Sequence, residues 1–205
     1  MRKEPKKKSL DVICFTNGIL ITSEVAFKLF DQGLDTLLIS VDSMIPEKYR
    51  LIRQGATLKE ALAGVRHAVK ANNQVGSGSI KITKIVFPNE TEADLLAFLE
   101  RCEEFGLNSI EFHIENRSNG CVEDYMNEIL RLSSMQSLND HLKTVSLPKM
   151  QNRRILCSDL WRSIHFDIDG FQRFCCMDFR ETQGGERVGY LQDCKSCVFP
   201  LVGGC

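Results

Sequence analysis

Six of the nine cysteines lie between Cys157 and Cys205, and their spacing is that of a metal site. Cys194 and Cys197 form a CxxC, which lets two thiolates from one turn bind the same centre. Cys157 and Cys175 bracket "SIHFDIDGFQRFCC", which alternates with period two about Asp169-Gly170 and reads as a β-hairpin. A two-residue turn there pairs Ile168 with Phe171, Phe166 with Arg173 and Ile164 with Cys175. Strand neighbours point to opposite faces, so this register sets Cys175 on the more apolar side and Cys176 on the other. Cys175 is then the ligand and Cys176 its bystander. Cys157, Cys175, Cys194 and Cys197 form a four-thiolate set, with Cys205 a fifth candidate. Such a set suits a structural zinc ribbon or an iron–sulfur cluster, and spacing alone does not choose between them. Unligated core thiols are the remaining alternative. Cys14, Cys102 and Cys121 read as packing residues or incidental ones.

Ahead of this tail the chain alternates apolar strands with amphipathic helices. "DVICFTNG" (Asp11–Gly18) reads as a strand broken by Asn17-Gly18, and Ser23–Gln32 as a helix stopped by Gly33. "LDTLLISVD" (Leu34–Asp42) is a nearly continuous apolar run, the pattern of a strand covered on both faces. Thr57 and Glu60 predict a capping box for a helix to Ala71. Ser79–Phe87 is a third strand, a helix begins near Thr91, and Asn108–Asn116 is a fourth strand. Strands separated by helices imply right-handed crossovers and a parallel sheet, with functional groups at the strands' carboxyl ends. Those ends are Thr16-Asn17-Gly18, Ser40–Asp42, Phe87–Asn89 and His113–Asn116. His113 and Glu115 could face the mouth formed by those strand ends or the core, although a histidine on a strand is more often a satisfied interior residue. Three segments result: 1–118 with the α/β alternation, a helical connector over 119–152, and a cysteine-rich hairpin domain over 153–205.

Net charge is −1 and the sequence pI about 6.4, which excludes a broad basic field for nucleic acid or anionic lipid. Arg2, Lys3, Lys6, Lys7 and Lys8 read as a solvated, frayed terminus. No apolar run reaches the roughly 18 residues of a membrane helix, and the first residues are too polar for a signal-peptide core. A cytoplasmic protein is therefore expected, a setting in which clustered cysteines more often bind metal than pair.

The chain resembles the radical S-adenosylmethionine (AdoMet) superfamily. "TNGIL" after a strand, "GLDTLLISVDS", "IRQGATLKEALAGV" and "KITKIVFPNETEADLLAFLERCEEFGLNSIEF" look like the later part of its barrel. The tail resembles its SPASM/twitch extension, C-x(9–15)-G-x4-C followed by CxxC: Cys157, Gly170, Cys175, then Cys194 and Cys197. The resemblance implies a partial barrel, strands three to six, with an auxiliary [4Fe-4S] cluster in preference to zinc. "VFPLVGGC" carries only Cys205 where the longer SPASM form has further cysteines, which favours the single-cluster twitch arrangement. The same resemblance places Asn17, Ser40 and Asp42 at AdoMet. Structurally, Asn17-Gly18 could equally make a turn, and Asp42 could satisfy backbone donors. No CxxxCxxC, the family's AdoMet-cluster motif, occurs in the sequence. Radical chemistry on a peptide or small metabolite is therefore expected only with a complementary N-terminal polypeptide. The competing expectation is a non-catalytic binding protein or zinc-ribbon module on a degenerate α/β fragment.

Overall fold

The computed structural model describes residues 10–107, 109–114, 122–140, 145–146, 165–166 and 172–173. The ligand candidates Cys157, Cys175, Cys194, Cys197 and Cys205 lie outside these residues, as do Cys176, Glu115 and the basic start. Two compact units divide the chain, one of residues 1–115 with 131–148 and one of 116–130 with 149–205.

In the first unit the alternation is as the periodicity predicts. Strand β1 (Ile13–Thr16) is followed by α1 (Ser23–Asp31), β2 (Thr36–Ser40), α2 (Pro46–Ile52), α3 (Leu58–Val75), β3 (Ser79–Val86), α4 (Glu92–Glu104) and β4 (Ile110–Ile114). The helices start where a side chain can satisfy the orphan amides of the first turn. Thr57 Oγ1 accepts from the Glu60 amide at 3.3 Å while the Thr57 amide donates to Glu60 Oε2 at 3.0 Å, the expected capping box. Thr91 and Asp94 repeat the device at the head of α4. Helix α3 runs one turn past Ala71 and stops at Gly76, whose φ of 69° is the left-handed conformation that glycine adopts freely. Helix α2, which the sequence reading leaves unassigned, begins with Pro46 in its first turn, where the missing amide costs nothing.

All the β1–β4 ladders are parallel and in sequence order, and a short β5 (Val145–Ser146) adds beside β4, also parallel, within the stretch read as a connector. Right-handed crossovers that always step in one direction put every intervening helix on the same face. Side-chain parity agrees. Leu37, Ile39, Ile82, Val86, Ile110 and Phe112 join the helices' Phe30, Val65, Leu95 and Leu99 in one buried cluster. The alternate residues, Phe15 on β1, Leu38 and Ser40 on β2, Thr83 on β3 and Glu111 and His113 on β4, point to the other face. Leu38 is also buried there, so β2 is covered on both faces, as its continuous apolar run predicts, whereas Phe15 is exposed.

In the second unit β6 (His165–Phe166) and β7 (Gln172–Arg173) pair antiparallel, so the hairpin exists, but its register differs from expectation by one residue. Phe166 lies opposite Gln172 and His165 opposite Arg173, where the two-residue turn required Phe166 opposite Arg173. A two-residue turn leaves an even number of residues between every pair. Five residues separate Phe166 from Gln172, an odd number that a two-residue turn does not give. The slip exchanges the faces of the second strand and removes the register argument that distinguished Cys175 from Cys176.

Candidate cofactor-binding rim

The carboxyl ends of β1, β2 and β3 converge on one rim. After β1, Thr16 Oγ1 accepts from the Gly18 amide at 3.1 Å and Asn17 Oδ1 accepts from the Ile19 amide at 3.2 Å, so both side chains tie the turn to itself. Gly18 sits at φ 81°. The turn is pressed onto α3, and a Cβ at Gly64 would collide with the Gly18 carbonyl oxygen. The two glycines thus let helix and turn approach more closely than side chains permit. The last β1–β2 pair is Thr16 with Ile39, so Asn17 and Ser40, 23 positions apart, each follow it directly. Ser40 Oγ lies 3.1 Å from Thr83 Oγ1 across the β2–β3 ladder.

Asp42 is 1% exposed and both its carboxylate oxygens are engaged within the protein. Arg53 Nε donates to Oδ2 at 2.6 Å and the Ile85 amide to Oδ1 at 3.0 Å. These contacts join the end of β2 to the C-cap of α2 and to β3. Tyr49, fully buried on α2, carries a hydroxyl with no hydrogen-bond partner among the described residues, and burial, opposed by the Arg53 charge and aided by those of Asp42 and Glu60, pushes its pKa up.

Beside Asp42 lies a residue the sequence reading passed over. Lys84 is 1% exposed. It belongs to the helix-facing parity of β3 with Ile80, Ile82 and Val86, its ammonium 5.2 Å from the centre of the Phe98 ring and 5.9 Å from that of Phe87. Lys84 Nζ donates to the Asp42 carbonyl at 2.7 Å and contacts Glu90 Oε1 at 2.8 Å and Oε2 at 3.0 Å, with the Ile85 carbonyl at 3.2 Å. Glu90 Oε2 also accepts from the Phe87 amide at 2.9 Å, and the Glu90 carbonyl accepts from Arg131 at 2.7 Å. A buried ammonium is tolerated only when paired and hydrogen-bonded, and this one satisfies the Asp42 and Ile85 carbonyls and the Glu90 carboxylate at once. The available signal was a lysine at the apolar parity of "KITKIVF".

On the opposite face of the sheet, His113 is nearly half exposed, its Nε2 3.9 Å from Glu111 Oε1, and Lys81 Nζ lies 4.0 Å from Glu111 Oε2. His113 is thus a surface group of that face, not an interior one. Cys102 is buried on α4, and burial, with Glu103 adding to it, pushes its thiol up to about 12. Half-buried Cys14 is raised by burial as well. Neither carries appreciable thiolate at neutral pH, which suits packing.

Residues 1–102 match the family model for the radical SAM superfamily. The chain belongs to that superfamily. Its fold is accordingly α/β, a partial radical SAM barrel of parallel strands. Among curated relatives, the GTP 3′,8-cyclase of Aliarcobacter butzleri is 32% identical over 130 residues, 60% of this chain and 38% of that protein. A probable GTP 3′,8-cyclase of Methanococcus aeolicus is 32% identical over 146 residues, 70% of this chain and 45% of that protein. This radical SAM chain therefore spans less than half the length of those relatives. Among solved structures, Streptococcus suis SuiB bound to S-adenosylmethionine superposes with a TM-score of 0.55 at 12% identity, covering 84% of this chain and 44% of SuiB. That likeness is one of fold. The superfamily implies an iron–sulfur cluster and AdoMet. Of the residues expected at AdoMet, Asn17 and Ser40 reach the rim with half-satisfied polar groups, whereas Asp42 is committed to Arg53 and Ile85. No described helix is long and apolar enough to cross a membrane.

Proposed function

We propose that this chain is the later portion of a radical AdoMet enzyme whose cysteine-rich tail holds an auxiliary [4Fe-4S] cluster. Cys157, Cys175, Cys194 and Cys197 are the ligands, with Cys205 able to displace one of the last pair, in a SPASM/twitch-like arrangement. The observation that carries the reading is the ordered parallel sheet whose strand ends bring Asn17 and Ser40 to one rim, in a chain of this superfamily. When bound, AdoMet and a reducing cluster supply a carbon radical that abstracts hydrogen; this chain contributes the rim that orients the cofactor. Asn17 offers an amide and Ser40 a hydroxyl for hydrogen bonds to it, while Asp42 acts through the backbone it fixes. This sequence contains no CxxxCxxC, so turnover requires that a part bearing one be supplied. The curated relatives are GTP 3′,8-cyclases, which favours a small metabolite over a peptide as substrate, with a purine nucleotide the first to test. A cytoplasmic setting, where thiols stay reduced, fits the cysteine usage.

The test is anaerobic purification followed by iron, sulfide and zinc analysis. The expected protein is brown, holds about four irons with matching acid-labile sulfide per chain, and loses them on replacement of Cys157, Cys175, Cys194 or Cys197 by serine. A colourless protein with one zinc would overturn the cluster assignment and leave the zinc-ribbon alternative.

A further inference from the structure

The sheet face that carries Ser40 also carries charge with no part in the rim. Register lines up Ser40 with Thr83, Thr83 with Glu111 and Glu111 with Ser146, and Asn17 enters the same row beside Ser40. One transverse row is therefore polar from end to end. With neighbouring strands about 4.8 Å apart, Glu111 stands roughly 10 Å along that row from Ser40. A parallel sheet is ordinarily apolar and covered on both faces. Strands β3 and β4 depart from this, because Lys81, Glu111 and His113 share the face of Ser40 and their side chains are 40%, 31% and 47% exposed. The Glu111 carboxylate lies between Lys81 Nζ at 4.0 Å and His113 Nε2 at 3.9 Å, both beyond hydrogen-bond reach. Pairs this loose and this exposed add little to stability. Polar capacity on all three groups is thus open to a ligand.

We infer that Glu111, Lys81 and His113 bind the α-amino-carboxylate end of a substrate, beside a cofactor held at Asn17 and Ser40. Charge selects this class of ligand. A phosphate drawn to Lys81 meets the Glu111 carboxylate next to it, and an amine drawn to Glu111 meets the Lys81 ammonium. A zwitterion leaves neither charge opposed: its ammonium donates to Glu111, and its carboxylate accepts from Lys81 Nζ and from a His113 ring N–H. This deepens the small-metabolite reading above by naming what that metabolite carries, and it rests on that reading for the place of the cofactor.

The probe is L-methionine, which carries the group with no further charge, titrated calorimetrically into the full 205-residue chain. N-acetyl-L-methionine lacks the ammonium and L-methioninamide the carboxylate; inorganic phosphate completes the set. L-Methionine is expected to bind at least about tenfold more tightly than each of the others, a step of about 1.4 kcal/mol. Glu111→Gln brings it down to the level of the N-acetyl compound and Lys81→Met to that of the amide, while the circular dichroism of both variants stays unchanged. Lys48→Met, at an α2 cation that faces Asp94, leaves binding as it was. Absent binding, affinity equal to that of the N-acetyl or amide form, or tighter binding of phosphate overturns the inference. So does binding that survives both variants, or displacement of L-methionine by AdoMet, which would assign the cluster to the cofactor's own amino-acid end. Iron and sulfide content, with the effect of Asn17→Ala and Ser40→Ala on AdoMet binding, reports separately on the cofactor reading. A chain that holds iron yet ignores L-methionine refutes the substrate site alone.

Discussion

Replacing Lys84 by methionine isolates the polar hub of the rim. Methionine keeps most of the unbranched apolar stem between Phe87 and Phe98 but deletes the ammonium, leaving Glu90 and the Asp42 carbonyl without their donor. Removing one member of a buried pair costs about 3–5 kcal/mol, because the other charge stays desolvated. The Glu90 side chain is 12% exposed and keeps the Phe87 amide, which places the expected loss at the lower end, about 3 kcal/mol. That is a large fraction of the roughly 5–15 kcal/mol of a folded domain. Lys84→Met, Glu90→Gln and the double variant form a cycle followed by urea denaturation with far-ultraviolet circular dichroism. The double variant should lose well less than the sum of the single losses, a coupling of at least about 1.5 kcal/mol. Salt should change it little, since buried pairs are weakly screened. A loss under about 1 kcal/mol for Lys84→Met, or strictly additive losses, would refute the argument that this pair holds the two strand-end loops together.

Gly64→Ala forces α3 away from the Asn17-Gly18 turn. A loss of about 1–3 kcal/mol from overpacking is expected, with faster amide exchange at Gly18 and Ile19; an unchanged melting temperature would contradict the contact. At the head of α4, backbone and side-chain hydrogen bonds from Thr91 hold the Asp94 carboxyl below its ordinary value of 3.8. A depressed carboxyl contributes stability above its unfolded value and loses it as pH falls through the folded one. Thr91→Ala should therefore cost about 1 kcal/mol near neutral pH and progressively less below pH 3.8, as read by melts across pH 2–7 (about the acid-to-neutral range of); a pH-independent penalty would oppose this. Cys102, its thiol raised to about 12, should resist iodoacetamide at pH 8 (about the free-thiol range of) until the chain is unfolded, by peptide mass spectrometry, and labelling as fast as that of an exposed thiol would argue against its burial.

The elements whose cause is local were legible from residue order. Thr57 with Glu60 and the alternation of β1 to β4 were read directly, because a cap or a period needs only neighbours within about four positions. Asn17 and Ser40 were placed at strand ends by the same alternation. Lys84 was not, because its partners at Asp42, Glu90 and Phe98 are supplied by three other segments, and nothing in "KITKIVF" names them. Asp42 illustrates the difference. Its position after an apolar run marked it as notable, but only the parallel register that brings Ile85 and Arg53 to its two oxygens decided that its charge is spent inside the protein.

Sequence alone determined the α/β class, the starts of α1, α3 and α4 and the absence of CxxxCxxC from these residues, all properties of adjacent residues. Tertiary structure decided the pairing of Asp42 with Arg53, the burial of Lys84 against Glu90, the added β5 and the one-residue slip of the hairpin. The reason is physical: periodicity specifies which face a side chain takes, whereas pairing register and coverage depend on distant segments whose packing energies compete only once the chain has folded.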